Sequence, residues 1–188
     1  MTCIIGFKHS DGRVYVGADS AAMAGWEKTI VWPKVFGNNG LVIAYTTSFR
    51  MGQLLEHSFT PPARSEGLTI GYMVKEFVPA VREMFDANGF GKRGGELGDV
   101  GGAFIVAEGG ELFAIESDYQ VVHPINKMLA YGAGQAYAIG ALHMVINVLP
   151  INQVDPSLAI KQSLKTASHY SAAVHGPFGI MSTGAVPS

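Results

Sequence analysis

Short runs of apolar and β-branched residues open the chain and predict two β-hairpins. The first joins residues 3–7 to residues 14–17 through Ser10-Asp11-Gly12, whose residue types tolerate tight turn angles. The second joins residues 34–36 to residues 41–45 through a turn in which Asn and Gly supply positive φ angles. The chain therefore begins with antiparallel β-structure.

Apolar residues spaced three and four positions apart predict four helices, at residues 48–58, 69–88, 135–148 and 155–171. Ser48, Thr69 and Asp155 are of the type that caps a helix N-terminus. Pro79 lies inside the second helix and is expected to kink it, because proline lacks a backbone donor. Further strands are predicted at residues 103–107, 112–115, 120–122, 128–131 and 178–181. This order predicts an α+β layered sandwich rather than a doubly wound sheet.

The composition narrows the class of protein. A length of 188 residues fits one domain, residues 1–188, with a loose polar tail at 184–188. Apolar residues make up 48 % and charged residues 15 %, which is apolar for a monomer and suggests surface buried between subunits. The net charge of −2, without a basic cluster, argues against nucleic acid as a partner. No apolar run has the length of a membrane span or a signal peptide, so we expect a cytoplasmic protein without a membrane partner.

Two kinds of cofactor site are disfavoured. Cys3 is the only cysteine, which excludes an internal disulfide framework and a cysteine-rich zinc site, so no metal is expected. Gly132-Ala133-Gly134 follows a predicted strand and precedes a helix, as a dinucleotide fingerprint does. Its sixth position is Tyr137, where close helix packing requires Gly or Ala. We therefore expect no cofactor.

Thr2 is the first candidate for chemistry. A threonine that becomes the N-terminal residue carries a nucleophilic hydroxyl and an α-amine with a pKa of about 7.7 to 8.0, which can take the hydroxyl proton. The alternative is that Thr2 only begins an edge strand. If Met1 is retained, the Thr2 nitrogen is an amide without basicity, and it cannot act as the base that takes the hydroxyl proton.

Four separated stretches resemble, in order and spacing, the β-type subunits of the proteasome and the bacterial HslV-type peptidase. They are Thr2-Cys3-Ile4-Ile5-Gly6, Gly17-Ala18-Asp19-Ser20-Ala21-Ala22-Met23-Ala24-Gly25, Pro33-Lys34-Val35-Phe36 and Tyr131-Gly132-Ala133-Gly134-Gln135-Ala136-Tyr137-Ala138. The resemblance covers nearly the whole chain. It implies the four-layer αββα sandwich of the N-terminal nucleophile (Ntn) hydrolases and a threonine endopeptidase in a homo-oligomeric ring. It also implies peptide or unfolded-protein substrates and admits an ATP-dependent unfoldase as a partner.

The resemblance assigns roles to individual residues. Thr2 would be the nucleophile and, through its amine, the general base. Lys34 would favour deprotonated forms near the Thr2 hydroxyl, and Asp19 would hold Lys34 in place. The backbone N–H of Ser48 would stabilise the oxyanion. Three further residues would line the substrate cleft: Ala22, Met23 and Thr46.

Two positions depart from the family pattern. Family members commonly have a serine where this chain has Ala133 and often an aspartate where it has Ser171, and both help to orient the terminal threonine. Ala133 cannot hydrogen-bond through its side chain, and Ser171 carries no charge. Two other readings therefore stay open: a structural homologue that forms the ring without catalysis, and an Ntn amidase that acts on small amides.

Overall fold

The computed structural model describes residues 2–64, 67–90 and 101–184. Eleven strands and five α-helices follow one another along these residues. The elements are β1 (Cys3–Lys8), β2 (Val14–Ala18), β3 (Ala21–Ala24), β4 (Glu27–Ile30), β5 (Val35–Asn38), β6 (Leu41–Tyr45), α1 (Phe49–His57), α2 (Ile70–Tyr72), α3 (Val78–Ala87), β7 (Phe104–Glu108), β8 (Glu111–Ile115), β9 (Val121–Val122), β10 (Met128–Gly132), α4 (Gln135–Val148), α5 (Pro156–Tyr170) and β11 (Gly179–Ser182). A π-helical turn (Met73–Phe77) joins α2 to α3, and a 3-10 turn (Ile151–Gln153) precedes α5.

The strands form three antiparallel sheets. Strands β10, β1, β2 and β11 make a four-stranded sheet, and strands β5 to β9 make a five-stranded sheet in chain order. Strands β3 and β4 form a separate two-stranded hairpin. Because β1 is a central strand, its first residues are held on both sides, by β10 and by β2.

Buried side chains fall into three clusters. One lies between the five-stranded sheet and helices α1 to α3, and includes Ile43, Phe77 and Phe113. The second joins β1, β2 and β10 to α4 and α5, as in the contact of Ile5 with the helices' apolar faces. The third is formed by the inner faces of the two large sheets, for example by Val16. Alternate residues of the central strands therefore supply two different cores.

The predicted helix starts are confirmed by their caps. The side chains of Ser48, Thr69 and Asp155 accept hydrogen bonds from the backbone N–H three residues later. The single helix predicted over residues 69–88 is interrupted by the π-helical turn, in which the Val78 N–H donates to the Met73 carbonyl five residues earlier. Pro79 follows directly, so the helix accommodates its missing donor by widening one turn.

Other expectations were incomplete or lie outside the described residues. The β3–β4 hairpin was not predicted, because its four-residue strands, Ala21–Ala24 and Glu27–Ile30, show no clear alternation of apolar and polar residues. The predicted surface loop at 89–102 falls largely on residues 91–100, and the predicted loose tail on 185–188, both outside the description. None of the helices in the described ranges combines the length and apolar character needed to cross a bilayer.

Candidate active site

The site is built at the start of β1, where Thr2 precedes the first paired residue. Thr2 is buried, with 1 % of its surface exposed. Its carbonyl accepts a hydrogen bond from the Gly134 N–H at 3.5 Å. Gly132 has a φ of +96°, and a Cβ at that position would lie 2.2 Å from the Thr2 carbonyl oxygen. The turn that resembled a dinucleotide fingerprint is therefore a backbone support for Thr2, and β10 before it runs antiparallel to β1.

Asp19 follows the last residue of β2 and is bonded to the same end of β1. Its N–H donates to the Cys3 carbonyl at 3.1 Å, and its Oδ1 accepts from the Cys3 N–H at 3.2 Å. Its Oδ2 accepts from the N–H groups of Ala21 at 3.1 Å and His175 at 3.4 Å. Because the carboxylate is fully buried and receives three backbone donors, its position relative to Thr2 is fixed.

Lys34 completes this cluster from the segment before β5. Its Nζ donates to Asp19 Oδ1 and to the Ala21 carbonyl, each at 2.7 Å, and 1 % of the side chain is exposed. The ammonium also lies 5.7 Å from the centre of the Phe49 ring. Burial lowers the pKa of Lys34 from its ordinary value, although the Asp19 carboxylate opposes that shift. The structure thus pairs Lys34 with Asp19 and bonds Asp19 to Cys3, the residue after Thr2. A catalytic role for Thr2, Asp19 and Lys34 stays a prediction.

Cys3 lies beside the nucleophile candidate but is not itself reactive. Its side chain is fully buried. Burial, with a smaller contribution from the nearby Asp19 carboxylate, raises the pKa of the Cys3 thiol from 9.0 to about 12. The thiolate is the nucleophilic form of cysteine. Cys3 therefore packs as a small apolar residue in the α4–α5 core.

Ser48 occupies the position predicted for the oxyanion donor, and its amide is already engaged. The Ser48 N–H donates to the Thr46 carbonyl at 2.7 Å across Thr47, whose φ is +62°. This tight three-residue turn is strained, since a β-branched residue rarely adopts positive φ. The Ser48 hydroxyl accepts from Met51 N–H at 3.2 Å as the cap of α1. In this conformation the Ser48 amide can serve an oxyanion only by leaving the Thr46 carbonyl.

The three predicted cleft residues have different environments. Ala22 and Met23 lie in β3 and are half-buried. Thr46 is buried, and its hydroxyl both donates to the Ala103 carbonyl and accepts from the Ala103 N–H, each at 3.0 Å. Its side chain thus joins β6 to the residue before β7. Contact of these three residues with a substrate stays a prediction.

The two departures from the family pattern lie near the Thr2 support. Ala133 is exposed between Gly132 and Gly134. Ser171 ends α5, where its N–H donates to the Ala167 carbonyl at 2.9 Å and its carbonyl accepts from the Val174 N–H at 3.1 Å. These positions belong to neighbouring segments, because a Cβ on Gly134 would come within 3.0 Å of side-chain atoms of Val174, Ala167 and Cys3.

A set of hydrogen bonds between residues 19–20 and residues 175–177 was not predicted. The Ser20 N–H donates to the His175 carbonyl at 2.8 Å, and the Ser20 hydroxyl donates to the Pro177 carbonyl. With the His175 N–H on Asp19, three bonds connect residues 175–177 to residues 19 and 20. In all three bonds the partner in residues 175–177 is a backbone atom more than 150 positions away, so the residue types of that segment offer no signal for them.

A groove of about 520 Å³ lies close to this cluster but on another side of the strand. Its lining includes Trp32, Pro33, Val35 and Gly179. Pro33 and Val35 are the chain neighbours of Lys34, and successive side chains of an extended segment point to opposite sides. The groove therefore does not contain the ammonium. Within the described residues, no cluster of three or more His, Cys, Asp or Glu side chains could hold a metal ion.

The fold of the chain is similar to that of known proteins. No protein-family profile and no curated protein matches the chain. Among solved structures, BPH of Thiobacillus denitrificans in complex with epoxomicin superimposes with a TM-score of 0.78 at 17 % identity, covering 98 % of this chain and 100 % of that one. HslV of Trypanosoma brucei gives 0.67 at 16 %, covering 96 % and 98 %. Anbu, an ancestral beta-subunit from Yersinia bercovieri, gives 0.67 at 17 %, covering 96 % and 81 %. The chain therefore has the fold of the proteasome-like Ntn hydrolases to which HslV and Anbu belong.

Proposed function

We propose that this protein is a threonine endopeptidase subunit that works in a homo-oligomeric ring. The observation that carries the proposal is the buried Lys34–Asp19 pair, because Asp19 Oδ1 accepts from both the Lys34 ammonium and the amide of Cys3, the residue after Thr2. A buried ion pair is a costly arrangement, and its position beside a threonine at the start of β1 supports a catalytic role. The likeness in fold supports a hydrolase of the proteasome type.

The reaction begins with removal of Met1, which frees the Thr2 α-amine. The Thr2 hydroxyl attacks the peptide carbonyl carbon while its proton passes to that amine. The tetrahedral intermediate then releases the amine of the cleaved peptide, which takes the proton, and Thr2 is left as an acyl ester. Water, deprotonated by the same α-amine, hydrolyses the ester and restores the hydroxyl.

Lys34 supports this chemistry electrostatically. An ammonium has three N–H donors, and Asp19 and the Ala21 carbonyl receive two of them. The third can serve the Thr2 hydroxyl oxygen as negative charge develops there. The ammonium also lowers the proton affinity of the α-amine at the same terminus, which keeps the amine available as a base near neutral pH.

The oxyanion donor requires a local change. The Ser48 N–H must leave the Thr46 carbonyl to stabilise a tetrahedral intermediate, and the strained φ of Thr47 reduces the cost of opening that turn. An extended substrate would then lie against Ala22 and Met23 of β3, with Thr46 supporting the cleft from beneath through Ala103. This assignment of the cleft is part of the proposal.

A structural homologue without catalysis is the second candidate. The engaged Ser48 amide favours it, as do Ala133 and Ser171, which lack the orienting groups that family members commonly have. Loss of such groups matters because a misplacement of about 1 Å can lower a rate about 10²-fold. The proposal therefore predicts a slow peptidase, whereas the second candidate predicts none.

The remaining parts of the proposal concern architecture. Three cores, two of them between a sheet and helices and one between sheets, support the four-layer αββα order. The apolar composition and the fold support a ring of identical subunits, with peptides or unfolded proteins as substrates and a cytoplasmic location. An ATP-dependent unfoldase would supply such substrates.

The test combines a mass measurement with an activity assay. Intact mass should show loss of Met1, and the purified protein should cleave fluorogenic peptides. Thr2→Ala should abolish cleavage, whereas Thr60→Ala, at an exposed position after α1, should leave it unchanged. Retained Met1 together with no turnover would reject the peptidase and favour the structural homologue.

A substrate panel and an inhibitor refine the result. Turnover of small amides without turnover of peptides would identify an amidase instead. BPH of Thiobacillus denitrificans was solved in complex with epoxomicin, so we also expect epoxomicin to bind this protein and to block its cleavage of peptides. Binding is to be measured by thermal shift, with Thr2→Ala as the control.

A further inference from the structure

The β3–β4 hairpin is exposed along β4 and at its tip, whereas β3 is buried at Ala21 and half-buried at Ala22 and Met23. The hairpin forms a sheet of its own, and all four residues of β4, Glu27–Ile30, are exposed. An isolated two-stranded hairpin is marginally stable in water. A further surface that covers the exposed strand β4 and the tip would therefore stabilise the hairpin.

The tip of this hairpin presents a fully exposed tryptophan. Gly25 has a φ of +61° at the first central position of the turn, and Trp26 follows it with its whole side chain in solvent. No atom lies within 4 Å of a Cβ placed at Gly25, so the turn projects away from the body. A tryptophan has a large apolar surface, and tryptophans are enriched among the residues that dominate binding interfaces.

A cleft of about 290 Å³ lies at the opposite end of the four-stranded sheet. Lys8, the last residue of β1, lines it together with Glu111, His123, Ile125 and Lys127. The hairpin leaves the sheet beside Cys3, at the other end of β1, about 17 Å away at a rise of about 3.4 Å per residue. The hairpin tip and the cleft of one copy thus lie at opposite ends of β1, which suits a contact between two copies placed head to tail.

The cleft and the tip are complementary in character. Ile125 is 99 % exposed and offers an apolar contact for the indole. Lys8 lies 3.6 Å and His123 3.3 Å from Glu111, whereas none of the ion pairs within the described residues involves Lys127. Glu27 directly follows Trp26, and its neighbour Lys28 points to the other side of the strand. The tip therefore carries an acid directly next to an aromatic ring in the chain, and each of these groups can interact with a lysine.

We propose that the hairpin tip of one copy, Trp26 with Glu27, binds in the cleft beside Ile125 and Lys127 of a second copy. The contact is heterologous, because a different surface of each copy takes part, and such a contact repeats into a ring when its rotation closes. This inference rests on the proposed self-assembly and specifies the surfaces that make it.

The first test compares two exposed tryptophans. Trp32 is 90 % exposed but lies outside the hairpin, so Trp32→Ala is the matched control for Trp26→Ala. Native mass spectrometry and light scattering should show oligomers for the unaltered protein and for Trp32→Ala. For Trp26→Ala we expect the subunit dissociation constant to rise at least tenfold, with an unchanged circular dichroism spectrum. Equal effects of the two substitutions, or no effect of Trp26→Ala, would overturn the inference, as would a monomeric unaltered protein.

The second test uses complementary variants and does not depend on folding of a single one. Glu27→Lys and Lys127→Glu should each weaken assembly, and the double variant should recover it. Trp26→Ala and Ile125→Asp should each assemble more weakly than the unaltered protein, yet their mixture should form dimers, because one intact tip and one intact cleft remain. Absence of recovery and of mixed dimers would reject a head-to-tail contact.

Both readouts are independent of catalysis and can be repeated in Thr2→Ala. Trp26-dependent assembly without peptide cleavage would support this contact and reject the peptidase. Cleavage by a protein whose assembly ignores Trp26 would do the reverse.

Discussion

Lys34 Nζ and Asp19 Oδ1 lie 2.7 Å apart in a pair that solvent does not reach. The same oxygen accepts from the Cys3 N–H, so this ion pair and the start of β1 share one atom. A substitution of Asp19 therefore removes both the counter-charge of the Lys34 ammonium and the hydrogen bond to the strand that follows Thr2.

Removing one charge of this pair should cost far more than removing both. Asp19→Asn keeps an oxygen for the Cys3 N–H but leaves the Lys34 ammonium without its counter-charge, and we expect a loss of about 3 to 5 kcal/mol in the free energy of unfolding. Adding Lys34→Met to Asp19→Asn removes the unpaired charge and should restore part of the loss. Urea unfolding of the two single variants and the double variant measures the coupling. Additive losses would show that the two side chains do not depend on each other.

Gly132 should not tolerate a side chain. In Gly132→Ala the new Cβ would meet the Thr2 carbonyl oxygen at 2.2 Å and the residue would keep a φ of +96°. Left-handed backbone alone costs an alanine about 1 to 2 kcal/mol, and the contact adds to it, so both stability and any peptidase activity should fall. Gly140→Ala is the control: it lies in α4 with open space around it and should gain about 0.5 to 1 kcal/mol. Equal stability of both variants in urea would contradict the proposed support of Thr2.

Most of the fold could be predicted from local signals. The caps at Ser48, Thr69 and Asp155 were visible because each is a short polar residue directly before an apolar helical repeat. The β3–β4 hairpin was missed because its four-residue strands bury too little to show a pattern, and only the Gly25 turn marks it. The π-helical turn was missed because Pro79 indicates that a hydrogen bond is lost without indicating how the helix adapts.

The candidate site was predictable only through resemblance. Nothing in the spacing of Asp19 and Lys34 indicates that they pair beside the start of β1, since the pairing of β1 with β2 and the path of the chain before β5 decide it. In the bonds of Asp19 and Ser20 to residues 175–177 and in the engaged amide of Ser48, the partner is a backbone atom, which residue types do not encode. The sequence therefore supplies the candidate reacting groups, whereas the structure adds the contacts that hold Asp19 and Lys34 at the start of β1.

Cys3 should resist alkylation in the folded protein despite its position beside Thr2. Burial raises the pKa of its thiol to about 12, so almost no thiolate exists near neutral pH. Iodoacetamide at pH 8 should leave the native protein unmodified by mass and should modify it fully in urea. Rapid modification without denaturant would contradict the burial of Cys3.

The raised pKa of the Cys3 thiol stabilises the folded protein at low pH, and this stabilisation is lost at high pH. Its pKa is higher in the folded state than the unfolded value of 9.0, so its contribution is complete below pH 9 and is lost between pH 9 and about 12. Cys3→Ala removes this contribution and shifts stability by a constant amount at lower pH. The difference in free energy of unfolding between the two proteins should therefore shrink as pH rises above 9. A constant difference would mean that the thiol ionises equally in both states.

The strained turn at Thr47 should be relieved by glycine. Thr47 has a φ of +62°, a region that a β-branched residue rarely occupies and glycine adopts freely. Thr47→Gly should therefore raise the free energy of unfolding by about 0.5 to 1 kcal/mol, after the larger entropy of the unfolded glycine chain is subtracted. Asn39→Gly is the matched control, because Asn39 has a φ of +49° but belongs to the residue types that accept such angles. Its gain should be smaller. A loss of stability in Thr47→Gly would show that the threonine side chain stabilises the turn before Ser48 and does not strain it.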